Sequence, residues 1–193
     1  MTTTTHRPNK STDQRLTHSG MSWLSFKLLQ ESFDGSPGIR LFYYRGEVEI
    51  LAVSKDHEIF SELIGILLAE YFIEKGIEFT PTGSFTQEKE GIASAQADKS
   101  YFIGSVSEVP DLSVEVVFTS SNERKLPRYQ ALGVPEVWFW EDGLFSLHCL
   151  RSDGYERVSK SELLPELDID FLTRCVLMTS RLEAVREFRR GLK

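Results

Sequence analysis

Between Asp111 and Phe118 the chain reads Asp-Leu-Ser-Val-Glu-Val-Val-Phe. β-branched residues dominate, and Leu112, Val114, Val116 and Val117 mark a strand buried in a sheet. Glu115 stands in the middle of that run. A carboxylate in an apolar context pays heavily for desolvation unless something compensates it. Any fold for this chain must bury the strand and also give Glu115 a partner.

The flanking segments supply the cover. Residues 55 to 75 carry Phe60, Leu63, Ile64, Leu67, Leu68 and Tyr71 at three- and four-residue spacing, one stripe of a long helix. Ser54 is its candidate N-cap, Asp56 and Glu58 lie in its first turn, and Gly76 ends it. Upstream, Ser22 caps a helix holding Trp23, Leu24, Phe26, Leu28 and Leu29. Ile39 to Tyr44 and Glu47 to Val53 read as strands joined at Arg45-Gly46. Further strands are expected at 77–81, around Phe85 and at 96–103. A short helix over 126–132 should stop at Gly133. Val137 to Trp140, Leu144 to Leu150 and Tyr155 to Val158 form a meander turned at Asp142-Gly143 and Asp153-Gly154, both hairpin signals. A last helix covers about 179–190. Helices alternating with strands give an α/β domain with a mixed sheet.

Length and composition bound the rest. The 193 residues fit one domain, read here as 21–193, after a Thr- and Ser-rich stretch over 1–20 that is expected to be disordered. No apolar run approaches the roughly 20 residues that span a bilayer. The start has no apolar leader, so the expected address is the cytoplasm, with no membrane partner. Cys149 and Cys175 have no CxxC spacing and read as small core residues. The net charge of −7 argues mildly against a broad polyanion-binding surface, but a metal site needs acids, and basic contacts need only be clustered.

Asp98 is a second acid in an apolar setting, within Gln96-Ala97-Asp98-Lys99-Ser100-Tyr101-Phe102-Ile103. Two such carboxylates on neighbouring strands repel unless a cation or a shared proton relieves them. Mg²⁺, or Mn²⁺ in its place, bound by carboxylates, a backbone carbonyl and waters, would do so, polarising a phosphoryl oxygen and activating water. Asp111 pairs less well with Glu115, because four strand residues separate their Cα atoms by roughly 13 Å. Asp111 is better read as the polar start of its strand.

These residues resemble the PD-(D/E)XK restriction-endonuclease-like superfamily, and in particular a branch of small bacterial nuclease-like proteins. The resemblance runs from Met21-Ser22-Trp23 through Tyr43-Tyr44-Arg45-Gly46-Glu47-Val48, Asp56-His57, Gln96-Ala97-Asp98 and Pro110-Asp111-Leu112-Ser113-Val114-Glu115-Val116. It continues over Lys125-Leu126, Tyr129, Gly133-Val134-Pro135-Glu136-Val137-Trp138 and Ser161-Glu162-Leu163-Leu164-Pro165. It implies an αβββαβ core with a central mixed sheet, helices on its faces and an added meander. It further implies a metal-dependent endonuclease acting on DNA, with Asp98 and Glu115 as metal ligands and the Val116 carbonyl beside them. The superfamily's lysine position is Val117 here, and Lys125 matches the place to which the lysine moves in this branch. Pro127 departs from the branch pattern and would start the helix late, leaving Lys125 on a loop. A catalytically inactive module that binds nucleic acid or protein is the alternative. A homodimer would suit cleavage of two strands.

Other candidates have simpler readings beside the functional ones. His57 could contact a phosphate or support the site, but an exposed helix start explains it. Glu62 looks into a cleft or into water, and Glu47 sits on a hairpin surface. Trp138 and Trp140 alternate with Val137 and Phe139 in a strand covered on both faces, which favours core packing over base stacking. The final helix bears Arg181, Arg186, Arg189, Arg190 and Lys193 beside Leu182, Val185, Phe188 and Leu192, a pattern that suits docking or phosphate contact.

Overall fold

The Ser54 hydroxyl accepts the His57 backbone N–H at 3.3 Å and starts the 20-residue helix α2, Lys55–Glu74. In the computed structural model, which describes residues 13–118 and 124–193, this helix lies across a sheet built almost entirely from later sequence. Before it come strand β1 (Gln14–Ser19), helix α1 (Trp23–Ser32) and the hairpin strands β2 (Ile39–Tyr44) and β3 (Glu47–Ala52). After it come β4 (Phe79–Pro81), β5 (Thr86–Lys89), β6 (Ala93–Gln96), β7 (Lys99–Ile103) and β8 (Leu112–Val117). Helix α3 (Leu126–Leu132), the meander β9 (Glu136–Glu141), β10 (Leu144–Leu150) and β11 (Tyr155–Val158), and helices α4 (Ile169–Val176) and α5 (Arg181–Leu192) complete the chain.

The strands form two sheets, one of five in the order β1-β3-β2-β6-β5 and one of six in the order β11-β10-β9-β8-β7-β4. The first is antiparallel throughout, whereas β8 and β9 run parallel and make the second mixed. Taken along the six-stranded sheet, α2-β4-β7-β8-α3-β9 is the expected αβββαβ order. β5 and β6 leave that sheet to join the other one.

Alternation along β8 and β9 explains the layering. Val114, Val116, Trp138 and Trp140 face a core shared with α2, α4 and α5. Val117, Val137 and Phe139 face a second core with Tyr129 and Leu132 of α3 and Phe42 and Leu51 of the five-stranded sheet. Both faces are covered, so the two tryptophans are core, as their pattern suggested. A third core packs Phe26 of α1 against Leu41, Tyr43 and Val48. Cys149 and Cys175 are free and buried. Among the described residues, no helix is long and apolar enough to cross a membrane.

Several expectations are refined. Of the stretch expected to be disordered over 1–20, residues 1–12 lie outside the described residues, and beyond them β1 pairs along its whole length with β3, from Gln14↔Ala52 to Ser19↔Glu47. Its side chains are largely exposed, so backbone pairing rather than apolar burial holds it, and composition did not report that. The strand expected over 96–103 is broken into β6 and β7, with Ala97 and Asp98 at the crossing between sheets. Helix α4, capped by Asp168, was not foreseen. The final helix starts at Arg181 under a Ser180 cap and docks through Ala184 and Phe188, with Arg189 paired to Glu70.

Candidate functional site

β8 presents Glu115 on the same face as Val117, toward α3 and the five-stranded sheet, where it is 1% exposed. Lys99 of β7 pairs with Val114, so Asp98, one residue earlier, arrives beside Glu115. The Asp98 Oδ2 accepts the Val116 backbone N–H at 2.7 Å, which fixes the carboxylate against the edge of β8. The sheet crossing therefore does specific work: it ends the β7–β8 ladder and gives the freed edge of β8 to a side chain.

Lys125 stands immediately before α3, in the N-cap position, with Pro127 in the helix's first turn. The late start does not misdirect it. Its Nζ pairs with Glu115 Oε2, and it is 2% exposed. The Tyr129 hydroxyl, one helical turn on, donates to Glu115 Oε1. Thus both Glu115 oxygens have partners from α3. Burial raises the Glu115 proton affinity, and the nearby Asp98 charge adds to this, against the pull of Lys125 and Tyr129. Burial likewise pushes the Tyr129 hydroxyl well above its ordinary value and keeps it a donor.

His57 is where the simple reading fails. It was read as an exposed helix start, yet it is 0% exposed, with Nε2 at 2.9 Å from Asp98 Oδ1 and Nδ1 at 2.9 Å from Asp13 Oδ2. The Nε2 contact is an ion pair off the line of good hydrogen-bond alignment. Asp13 Oδ1 also accepts the Ser54 backbone N–H at 2.7 Å. Burial opposes charge on the ring, but the two carboxylates outweigh it and raise its pKa to about 9. For Asp98, burial pulls upward, but His57, Lys125 and the Val116 N–H together outweigh it, so its pKa is lowered. A third cation, Arg40, brings Nε to 3.9 Å from Asp98 Oδ1.

A second set of charges adjoins the first. Arg128 of α3 pairs at 2.6 Å with Glu49 of β3, and Arg15 of β1 approaches the same carboxylate at 3.0 Å. The Lys125 amine and the Arg128 guanidinium lie 5.2 and 4.6 Å from the Phe42 ring centroid, on cation–π geometry. Burial raises the Glu49 proton affinity, but Arg128, Lys125 and Arg15 together hold its pKa below the usual carboxylate value.

Other candidates lie outside this centre. Glu62 has a 65% exposed side chain and pairs with Lys99, and Glu47 is on the exposed hairpin end of β3. Asp111 accepts the Ile103 N–H at 2.8 Å and pins the β7–β8 connection, in keeping with its reading as a strand start. Sequence reasoning missed Asp13, Glu49 and Arg128. Their only sequence signal is the presence of charged residues in or beside strands and a helix that bury them.

The donor set suits a hard divalent ion: two carboxylates side by side in a dry setting, each raising the charge burden of the other. Among the described residues, no group of three or more His, Cys, Asp or Glu side chains is arranged to hold a metal. An ion here would rest on Asp98 and Glu115, with backbone oxygen and water completing its shell. A mixed αβββαβ sheet that brings two acids and a lysine together defines the restriction-endonuclease-like class of nucleases.

The match to a family model agrees with that class. The chain belongs to the family described as "Uma2: Putative restriction endonuclease", whose model matches residues 26–177. A crystal structure from Anabaena variabilis, described as "a putative nuclease belonging to DUF820", is similar with a TM-score of 0.46 and 14% identity, over 77% of this chain and 90% of that one. No curated protein matches the chain significantly.

Proposed function

We propose that this protein is a metal-dependent endonuclease that hydrolyses phosphodiester bonds in DNA, with Asp98, Glu115 and Lys125 as its catalytic groups. The observation that carries the reading is the meeting of these three side chains, from three different elements, in one buried cluster. Asp98 and Glu115 would hold Mg²⁺ or Mn²⁺, with the Val116 carbonyl on the same strand edge as the N–H that binds Asp98. The ion, when bound, would polarise the scissile phosphate and lower the pKa of water. Lys125 would orient that water and offset charge growing on the phosphate. Tyr129 holds the Glu115 carboxylate in its plane, and Val116 N–H does the same for Asp98.

The test is cleavage of supercoiled, linear and single-stranded DNA with Mg²⁺ or Mn²⁺, alongside calorimetric metal binding, for wild type, Asp98→Ala and Glu115→Ala. Cutting and binding that both vanish in either variant support the reading. One observation favours a second reading, an inactive nucleic-acid- or protein-binding module: Asp98, Glu115 and Lys125 are 5%, 1% and 2% exposed, and both Glu115 oxygens already have partners. A wild type that neither cuts nor binds metal selects that second reading. Sedimentation with and without DNA tests whether two copies pair to cut two strands.

A further inference from the structure

β1 and the residue before it, Asp13, lie ahead of residues 26–177, the span that the family model matches, yet this segment reaches into the centre twice. Its register with β3 sets Asp13 one residue beyond the Gln14↔Ala52 pair, at the corner where Ser54 opens α2. There the Asp13 carboxylate takes the Ser54 N–H at 2.7 Å and the His57 Nδ1 at 2.9 Å. The opposite ring nitrogen faces Asp98 at 2.9 Å. Two residues along the same strand, Arg15 meets Glu49, which meets Arg128, whose guanidinium shares the Phe42 ring with Lys125.

We propose that Asp13 is a positioning residue of the catalytic centre, acting through the His57 ring to fix Asp98, so that β1 completes a site the family-matched span alone leaves open. This rests on the nuclease reading given above. Fold stability is only part of the account of Asp13, which accepts the buried Ser54 N–H and pairs with His57. The six backbone-paired positions of β1 already hold the strand. A buried carboxylate–imidazole pair is often no more stable than apolar residues of similar volume. What the pair does supply is direction. An imidazole hydrogen-bonded to Asp13 through Nδ1 and ion-paired to Asp98 through Nε2 is restrained at both nitrogens, and it faces Asp98 Oδ1 while the Val116 N–H holds the same carboxylate's Oδ2. Carboxylate–histidine pairs of this kind orient metal-binding groups from behind, and removing one commonly costs 10–100-fold in metal affinity or activity.

The experiment compares full-length wild type, Asp13→Asn, His57→Gln and the double variant, at saturating Mg²⁺ over a range of DNA concentrations. Asp13→Asn is expected to lower kcat by roughly 10–100-fold with the KM for DNA unchanged. His57→Gln should match it, and the double variant should fall no further than the worse single one, because Asp13 acts only through His57. A kcat unchanged in Asp13→Asn with a lowered melting temperature overturns the proposal, as do losses that multiply in the double variant. If wild type cuts nothing with either metal, the nuclease reading fails and a second readout decides the relay. In metal-free protein, NMR of the Asp98 carboxyl carbon and the His57 ring protons should show the Asp98 signal moving in Asp13→Asn. An unmoved Asp98 signal overturns the proposal.

Discussion

Glu115 on β8 and Glu136 on β9 are both 1% exposed and belong to adjacent strands, yet they are used in opposite ways. Glu136 is surrounded by neutral donors. The Trp138 indole, the Cys149 thiol and the backbone N–H groups of Glu162 and Leu163 all point at it, the last two at 3.0 and 3.2 Å. It clamps the segment after the meander to the end of the sheet. Glu115 is held by a long lysine and a tyrosine and stands beside a second acid. Fixed dipoles serve Glu136, whereas Glu115 is answered by a buried cation and a hydroxyl and crowded by a second acid, a charge balance that an added cation would change.

The contrast can be broken most sharply by activity. Asp98→Ala and Glu115→Ala should each lower metal-dependent cleavage by on the order of 10³-fold, read in a plasmid-nicking time course, while Glu136→Ala retains the wild-type rate below its melting temperature. Cleavage lost equally in Glu136→Ala would erase the distinction.

Stability should show the reverse. Glu136→Ala strands several donors at once and should cost about 3 kcal/mol in urea unfolding, since each buried unsatisfied group costs roughly 1–3 kcal/mol. A loss near zero would mean that the clamp is dispensable.

A pH series separates the His57 arm of the centre. In metal-free protein the ring's pKa is raised from its usual 6.5 to about 9, so its contribution is complete below 6.5 and is lost as pH rises through about 9. Asp13 and Asp98, both lowered, stay ionised across that window. The stability gap between wild type and His57→Gln should therefore shrink by roughly 2–3 kcal/mol from pH 6 to pH 10, measured by denaturant unfolding in chelator. A pH-independent gap would refute the charged ring.

The smallest effect sharpens the comparison from the other side. Replacing the Glu115–Lys125 pair by Leu and Met, with Tyr129→Phe so that no buried hydroxyl loses its acceptor, should change stability by only about 1 kcal/mol, in either direction, because a buried ion pair gains little over apolar packing. Calorimetric melting that showed a loss of 4 kcal/mol or more would make the pair a structural element like Glu136.

Much of this was legible in the chain. The stripe from Phe60 to Tyr71, the β-branched run of β8 and the Asp142-Gly143 turn each carry a local physical signal, and Arg45-Gly46 and Asp142-Gly143 do adopt the paired positive φ angles of a tight hairpin turn. Asp98, Glu115 and Lys125 could be singled out as residues, but their meeting depends on a sheet crossing at Asp98 that small residues such as Ala93, Ser94 and Ala95 conceal. β1 was lost because Gln14, Arg15, Thr17, His18 and Ser19 look like a solvated tail; only pairing with β3 makes them a strand. Asp13 and His57 are 44 positions apart, and Glu49 and Arg128 are 79 apart, separations over which no periodicity speaks.

The chain's passage from one sheet to the other at Asp98 also bears on when the centre can exist. Asp13 and Glu49 come with the first sheet, Glu115 with the second, Lys125 with the helix that follows, and Asp98 from the step between them. No partly folded chain holding only one sheet contains the set. Strands of high sequence separation close late, after local helices and hairpins. During synthesis the cluster of Asp98, Glu115 and Lys125 is thus incomplete until the segment through β9 has emerged and docked, and the same layout dismantles it whenever either sheet unravels.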